Sequence, residues 1–267
     1  MADSKYLDLQ RKFVEHELSA ATGFRWADFD GKKVGWSVVL LRRASVVHAP
    51  ATFGKTTEME EQASRLRSEG HKAIFVALRR VRAESSFEAA LLPEERVSYD
   101  EWRSNPTSTI TVFLDSLDEA SPKNSDDLSL PLALVTRAVS WPASDVRWVI
   151  STRPAMLTNG VINQLRRTFS RGQTLSATTG ARSTSPGQTT VHSVFSERVV
   201  DPETLAIFSM SSLESAQAVR YMRERLSVSR APEVLAMASR RGLNNLMSNP
   251  GGLSMLADID LLDHPPD

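Results

Sequence analysis

The sequence of 267 residues contains no cysteine. The chain therefore forms no disulfide, holds no thiolate-bound metal and has no cysteine nucleophile. This lack of thiols fits the cytosol, and we expect a cytoplasmic protein. Long apolar runs are also missing, because stretches such as SVVLL and AIFVAL have only the length of strands. The N-terminal residues MADSKYLDLQRKF are charged without an apolar run, so we expect neither a signal peptide nor a membrane partner.

An excess of charge of either sign is absent as well. Thirty-two Lys and Arg residues balance thirty-two Asp and Glu residues, which gives a formal net charge of zero. Such a chain creates no overall field that would attract nucleic acid or an anionic surface. Contacts with DNA phosphates would have to come from local basic clusters, and the simpler interpretation of these clusters is solvated helix faces. The clusters are RLRSEGHK, ALRRVR, QLRRTFSR and SRRG.

Short apolar runs alternate with helical patterns from residue 44 onward. We predict buried strands at residues 44–49, 71–78, 109–115 and 146–152, and helices at 58–70 and 128–141. Strands that alternate with helices favour an α/β fold, in which a parallel sheet is covered by helices on both faces. We expect an irregular segment around Pro93 and Pro106, between the second and third strands.

The composition divides the chain into three parts. Residues 1–43 are predicted as an N-terminal helical segment, because apolar residues from Tyr6 to Leu18 recur at roughly helical spacing. Residues 44–200 form the α/β core, with a flexible insertion rich in Ser, Thr and Gly near 170–192. Residues 201–267 are predicted as a helical lid, with Ser212 as a candidate N-cap. The last residues, DHPPD, carry no capping element, and we expect a piece of a longer protein.

The segment APATFGKTT (residues 49–57) lies between the first predicted strand and a helix, where a G-x-x-x-x-G-K-[ST] phosphate loop belongs. Backbone N–H groups of such a loop form an anion-binding nest at the start of the helix. Lys55 would reach the β- and γ-phosphates, and the Thr56 hydroxyl would ligate Mg²⁺. Gly54 would let the backbone approach the phosphates closely. The other candidate nucleotide contacts are Ala49, Thr52, Phe53 and Thr57.

Acidic residues end the third predicted strand, in the stretch TVFLDSLDEA. Ligands of open α/β sheets bind at the carboxyl edge, where this strand delivers its acids. Asp115 would hold Mg²⁺ through water. Glu119 is our candidate for orienting or deprotonating the attacking water, with Asp118 as a helper on the metal side. The alternative is that Asp118 and Glu119 only cap the next helix.

The fourth predicted strand ends in ISTRPA, at the same edge of the sheet. Arg153 leaves the strand there, and Pro154 stops it. A guanidinium at this place can sense or stabilise the charge of a γ-phosphate. A lone arginine at a strand end is otherwise an ordinary surface residue.

Together these motifs resemble the NACHT branch of the STAND NTPases, signal-transducing P-loop ATPases related to AAA+ proteins. FLDSLDEA is similar to the extended Walker B motif of that branch, and STRP is similar to its sensor-1 arginine motif. NPGGLSMLA resembles the Asn-Pro-Leu-type helix start in its small helical domain. The resemblance covers residues 40–260 and implies a P-loop NTPase core with a helical lid. It also implies that Pro250 lies against the nucleotide base.

The sequence departs from this family at several positions. Ala49 and Thr52 replace usual glycines, which puts the rate of hydrolysis in more doubt than binding. Gly251 replaces a usual leucine and weakens the match on the base side. The winged-helix domain of the family, a repeat sensor domain and an effector domain are not recognisable.

The resemblance implies an ATP- and Mg²⁺-dependent switch, in which slow hydrolysis is coupled to conformational change and self-association through the core. Such switches act in innate immunity, including anti-phage defence. One alternative is an AAA+-type ATPase that acts on DNA, and another is a scaffold that binds nucleotide without hydrolysing it. No Asn/Thr-Lys-x-Asp motif for guanine is visible, which favours ATP over GTP.

Overall fold

The computed structural model describes residues 6–16, 18–19, 23–24, 32–81, 87–106, 108–120, 128–139, 145–169, 205–226 and 228–263. In these residues the chain has an α/β fold around a seven-stranded, mostly parallel sheet. None of the helices described is both long enough and apolar enough to cross a bilayer. The predicted insertion near 170–192 lies outside the described residues.

The strand order in the sheet is β4-β1-β9-β5-β8-β7-β6. The five strands from β9 to β6 run parallel, whereas β1 pairs antiparallel with both β9 and β4. The strands β2 and β3 form a separate antiparallel pair. The strand bounds are β1 Phe13–His16, β2 Leu18–Ser19, β3 Gly23–Phe24, β4 Lys33–Val34, β5 Ala44–His48, β6 Lys72–Ala77, β7 Ile110–Asp115, β8 Val146–Thr152 and β9 Leu205–Met210.

Helices cover both faces of the sheet, as parallel strands require. On one face Met59 and Val39 pack against Val47 and Phe113, and on the other Trp102 lies in a larger core. Every residue of β5 and β7 is buried, which fits the lack of alternation between apolar and polar residues in both strands. The helices are α1 Trp36–Leu41, α2 Lys55–Ser68, α3 Pro93–Ser104, α4 Leu117–Ala120, α5 Ser129–Val139, α6 Asn159–Phe169, α7 Ser215–Arg225, α8 Arg230–Arg240, α9 Asn244–Met247 and α10 Pro250–Asp263.

The helices α7 to α10 pack around a core of their own, which includes Met222, Val234 and Leu253. Leu9, from the segment that precedes β1, is buried in the same core. The side chain of Gln217 also donates to the carbonyl of Leu9 at 2.6 Å. The N-terminal segment therefore connects the sheet with this helical cluster.

The structure confirms the four predicted strands of the core and the helices that follow the first and third of them. The predicted N-terminal helix is wrong, because Phe13–His16 forms strand β1 and residues 6–12 are not helical. The apolar spacing there has a different cause: Phe13 and Val14 are buried beside β9, whose edge would otherwise expose unpaired backbone groups.

Three further elements differ from the sequence-based expectation. The strand β9 lies inside residues 201–267, which are predicted as a helical lid. A helix, α3, occupies the segment expected to be irregular, and Pro93 stands at its start, where the missing N–H costs nothing. Helix α7 is capped by Glu214 and not by Ser212, because Glu214 and Gln217 form a reciprocal capping box.

Candidate functional site

The loop of residues 49–54 crosses the carboxyl edge of the sheet between β5 and α2. Gly54 caps α2 in the left-handed conformation, with φ of +83°. Thr52 is also left-handed, at φ of +67°, which a β-branched residue adopts only under strain. Ala49 does not have positive φ, so its side chain meets no such penalty. Of the two glycine replacements in this loop, only the one at Thr52 strains the backbone.

Lys55 turns back onto its own loop. Its Nζ donates to the carbonyl oxygen of Ala49 at 2.7 Å and to that of Pro50 at 3.0 Å. Burial lowers the pKa of Lys55, against the opposing effect of the nearby Asp118 and Asp115 carboxylates. The ammonium group thus lies between this loop and the carboxylates of Asp115 and Asp118.

Hydroxyl groups hold the carboxylate of Asp115, which is only 4% exposed. Its Oδ2 accepts hydrogen bonds from Thr56 Oγ1 at 2.9 Å and from Ser116 Oγ at 3.0 Å. Its Oδ1 accepts a third from Ser151 Oγ at 2.6 Å. The Thr56 bond joins the start of α2 to the end of β7, so the two predicted metal ligands are neighbours.

The remaining predicted residues lie around this pair. Arg153 Nε and Asp118 Oδ2 form an ion pair at 2.9 Å, in which the arginine side chain is 55% exposed and the aspartate 16%. Strand β8 lies between β5 and β7, so it brings Arg153 to the loop and the acids together. Glu119 is exposed on the short helix α4.

Two further predicted nucleotide contacts, Phe53 and Thr57, differ in their burial. The side chain of Phe53 packs against the apolar core under α2, which makes it a support of the loop. Thr57 is exposed in the first turn of α2.

The start of helix α10 lies directly on the loop of residues 49–54. The backbone N–H of Gly251 donates to the carbonyl oxygen of Thr52 at 3.0 Å. The Cγ of Pro250 lies 3.6 Å from the place where a Cβ on Gly54 would stand. A Cβ on Gly251 would stand 2.4 Å from the Cβ of Thr52. The glycine at position 251, where the resemblance expects leucine, is therefore required by the threonine opposite it.

Several residues of the site were not singled out from the sequence. Ser151 and Ser116 bind Asp115, and Asn249 accepts the N–H of Gly252 at 2.8 Å at the start of α10. Ser151 could have been found only by assuming that β8 lies beside β7, because its position in ISTRP then falls next to Asp115.

The donor set suits a hard metal ion. The described part of the chain contains no group of three or more His, Asp or Glu residues that could form a protein-only metal cage. Thr56 and Asp115 offer two oxygen ligands, and Mg²⁺ typically takes one or two protein oxygens and completes its shell with water and phosphate.

Comparison with known proteins finds no family model that matches this sequence, and no curated protein that is similar to it. Function therefore has to be argued from the geometry of the site.

Proposed function

We propose that this chain is an ATP-binding switch of the STAND type with a NACHT-like P-loop core. The observation that supports it most is the hydrogen bond of 2.9 Å between Thr56 Oγ1 and Asp115 Oδ2. It connects the threonine of a strand–loop–helix phosphate motif to an acid that ends a buried strand. These are the two protein groups that a nucleotide-bound Mg²⁺ needs, and the sequence separates them by 59 residues.

Binding requires Lys55 to change partners. In the structure its ammonium group donates hydrogen bonds to the carbonyl oxygens of Ala49 and Pro50. Phosphate oxygens are stronger acceptors than carbonyl oxygens, so the ammonium would move to the β- and γ-phosphates. Thr56 and Asp115 would hold Mg²⁺, which neutralises phosphate charge when bound.

Hydrolysis would involve the residues beyond β7. Glu119 is exposed and can accept a proton from water, whereas Asp118 is already paired with Arg153. A γ-phosphate would compete with Asp118 for Arg153, because both present anionic oxygens to the guanidinium. In this proposal Glu119 is the base, and Asp118 keeps the side chain of Arg153 beside the site until a γ-phosphate binds the guanidinium.

The contact between the loop and α10 supports a switch rather than a simple ATP site. Thr52 and Gly251 share a backbone hydrogen bond, and Pro250 lies beside Gly54. A change in the conformation of the loop on nucleotide binding would therefore also displace α10 and the helical cluster behind it. We propose that the helical cluster acts as the lid, and that its movement controls self-association through the core.

The first basic cluster offers little support for DNA as the partner. Arg65 pairs with Glu69 at 2.9 Å, and Arg67 pairs with Glu95 at 2.7 Å. Lys72 is likewise bonded to Glu101. These cations are balanced within the fold.

Isothermal calorimetry with ATP and Mg²⁺ tests the proposal. Lys55→Ala should weaken ATP binding at least tenfold, or about 1.4 kcal/mol, because it removes the charge that would meet the phosphates. Lys72→Ala is the matched control, since Lys72 lies at the amino end of β6, away from the carboxyl ends of the strands where the site lies. Equal ATP affinity in the wild-type and Lys55→Ala proteins, both folded by circular dichroism, would rule out the phosphate loop.

A further inference from the structure

We infer that Ser151 is a positioning residue, which fixes the Asp115 carboxylate in the orientation needed for the metal. This inference rests on the proposed function, because it concerns the Mg²⁺ that Thr56 and Asp115 would hold.

Ser151 lies in the interior of the sheet and is 0% exposed. Strands β7 and β8 are in register from Ile110 to Leu114, which places Ser151 beside Asp115 where the pairing ends. The Ser151 hydroxyl donates to Asp115 Oδ1 at 2.6 Å. This length is typical of a strong hydrogen bond from a hydroxyl to a charged oxygen.

The same hydroxyl also accepts the backbone N–H of Ser116 at 2.8 Å. An N–H group can only donate, so the hydroxyl proton is directed to Asp115. Ser116 has φ of +63°, an unusual value for a serine. Ser151 thus holds both the carboxylate and the strained turn that follows it.

Rotation of an aspartate carboxylate about its last torsion is soft, so its hydrogen-bond partners decide its orientation. With Oδ1 held by Ser151, Oδ2 remains with Thr56 and Ser116, on the side of the phosphate loop. Without Ser151, Oδ1 loses this donor, and only the hydroxyls of Thr56 and Ser116 would orient the carboxylate, both through Oδ2. The effect of Ser151 should therefore appear in metal binding and not in nucleotide binding without metal.

The test measures ATP affinity by calorimetry, once with Mg²⁺ and once with EDTA. In EDTA, the ATP affinity of Ser151→Ala should stay within about twofold of wild type. The gain in ATP affinity that Mg²⁺ brings should be roughly tenfold or more smaller than in wild type, because removal of a group that orients a metal ligand has an effect of this size. Ser151→Thr keeps the hydroxyl and should restore most of the gain.

Ser45→Ala is the matched control. Ser45 is also fully buried in a central strand, and its hydroxyl donates to the carbonyl of Val39 at 2.7 Å, away from Asp115. Its loss should leave the Mg²⁺ gain intact. If Ser151→Ala does not fold, Ser151→Cys keeps the volume with a weak donor and should show a partial loss of the gain.

The outcomes separate the two proposals. A Mg²⁺ gain in the wild-type protein that persists in Ser151→Ala, or in Ser151→Cys where that variant is used, overturns the role of Ser151 alone. An equal loss in Ser45→Ala also overturns it, because the effect would then be general destabilisation. If wild-type protein binds no ATP, or binds it equally with and without Mg²⁺, the proposed function fails and this inference fails with it.

Discussion

The contact between Thr52 and Gly251 can be tested without any ligand. A Cβ on Gly251 would stand 2.4 Å from the Cβ of Thr52, whereas two carbons in contact normally lie about 3.5 to 4.0 Å apart. Gly251→Ala therefore requires the loop and α10 to separate by about 1 Å. Such overpacking typically costs about 1 to 3 kcal/mol.

Replacement of an ordinary helical glycine by alanine should change the free energy of unfolding in the opposite direction. Gly160 is the second residue of α6, as Gly251 is of α10, and a Cβ there would meet only Thr158 Oγ1 at 3.7 Å. Gly160→Ala should be neutral or stabilise the fold by up to about 1 kcal/mol. Urea denaturation of both variants measures the difference directly.

A double-mutant cycle locates the cause. Thr52→Gly removes both side-chain carbons that would clash, and of the three atoms nearest to the added Cβ the Thr52 carbonyl oxygen remains, at 3.1 Å. Gly251→Ala should then cost far less than in the wild-type background, with a coupling energy of about 1 to 3 kcal/mol. A Gly251→Ala variant as stable as wild type, or an equal loss of stability in both backgrounds, would refute the predicted clash between Thr52 and position 251.

Two further predictions concern acidic residues. Burial raises the pKa of Glu58 to about 7, above that of an unfolded glutamate. The folded state then binds the extra proton, so stability falls as pH rises from about 4.5 to about 7, by on the order of 3 kcal/mol. Glu58→Gln should remove this fall in urea titrations at about pH 5 and pH 8, and an unchanged slope would contradict the assignment. Separately, Glu119→Gln should keep ATP bound and abolish hydrolysis measured by phosphate release, whereas normal hydrolysis together with an inactive Asp118→Asn would reverse their roles.

The core of the fold follows from local patterns. Continuous apolar runs such as ITVFLD can be buried only between two layers of helices, and the structure places them there. The loop of residues 49–54, Asp115 and Arg153 could be predicted to lie at one edge of the sheet, because parallel strands end at a common edge. Both the end of a strand and the chemistry of its side chains can be predicted from a short segment of sequence.

The parts that could not be predicted depend on distant partners. Phe13 and Val14 form a strand because β9, nearly 200 residues away, needs a partner, and pairing of this kind overrides a weak helical spacing. Gly251 differs from the leucine that the resemblance expects because Thr52 lies opposite it, a contact between residues that are far apart in the sequence. Ser151 stands in the STRP motif, whose predicted role falls on Arg153, and its own role depends on Asp115 in the neighbouring strand.

Hydrogen exchange with and without ATP and Mg²⁺ tests the central claim most directly. ATP and Mg²⁺ should slow exchange both in the loop and first turn of α2, around Lys55, and at the start of α10, around Pro250. Helix α3, which lies against β6 and contributes none of the proposed contacts, should exchange at an unchanged rate. Protection around Lys55 alone would contradict the coupling to α10, and protection at neither place would contradict nucleotide binding itself.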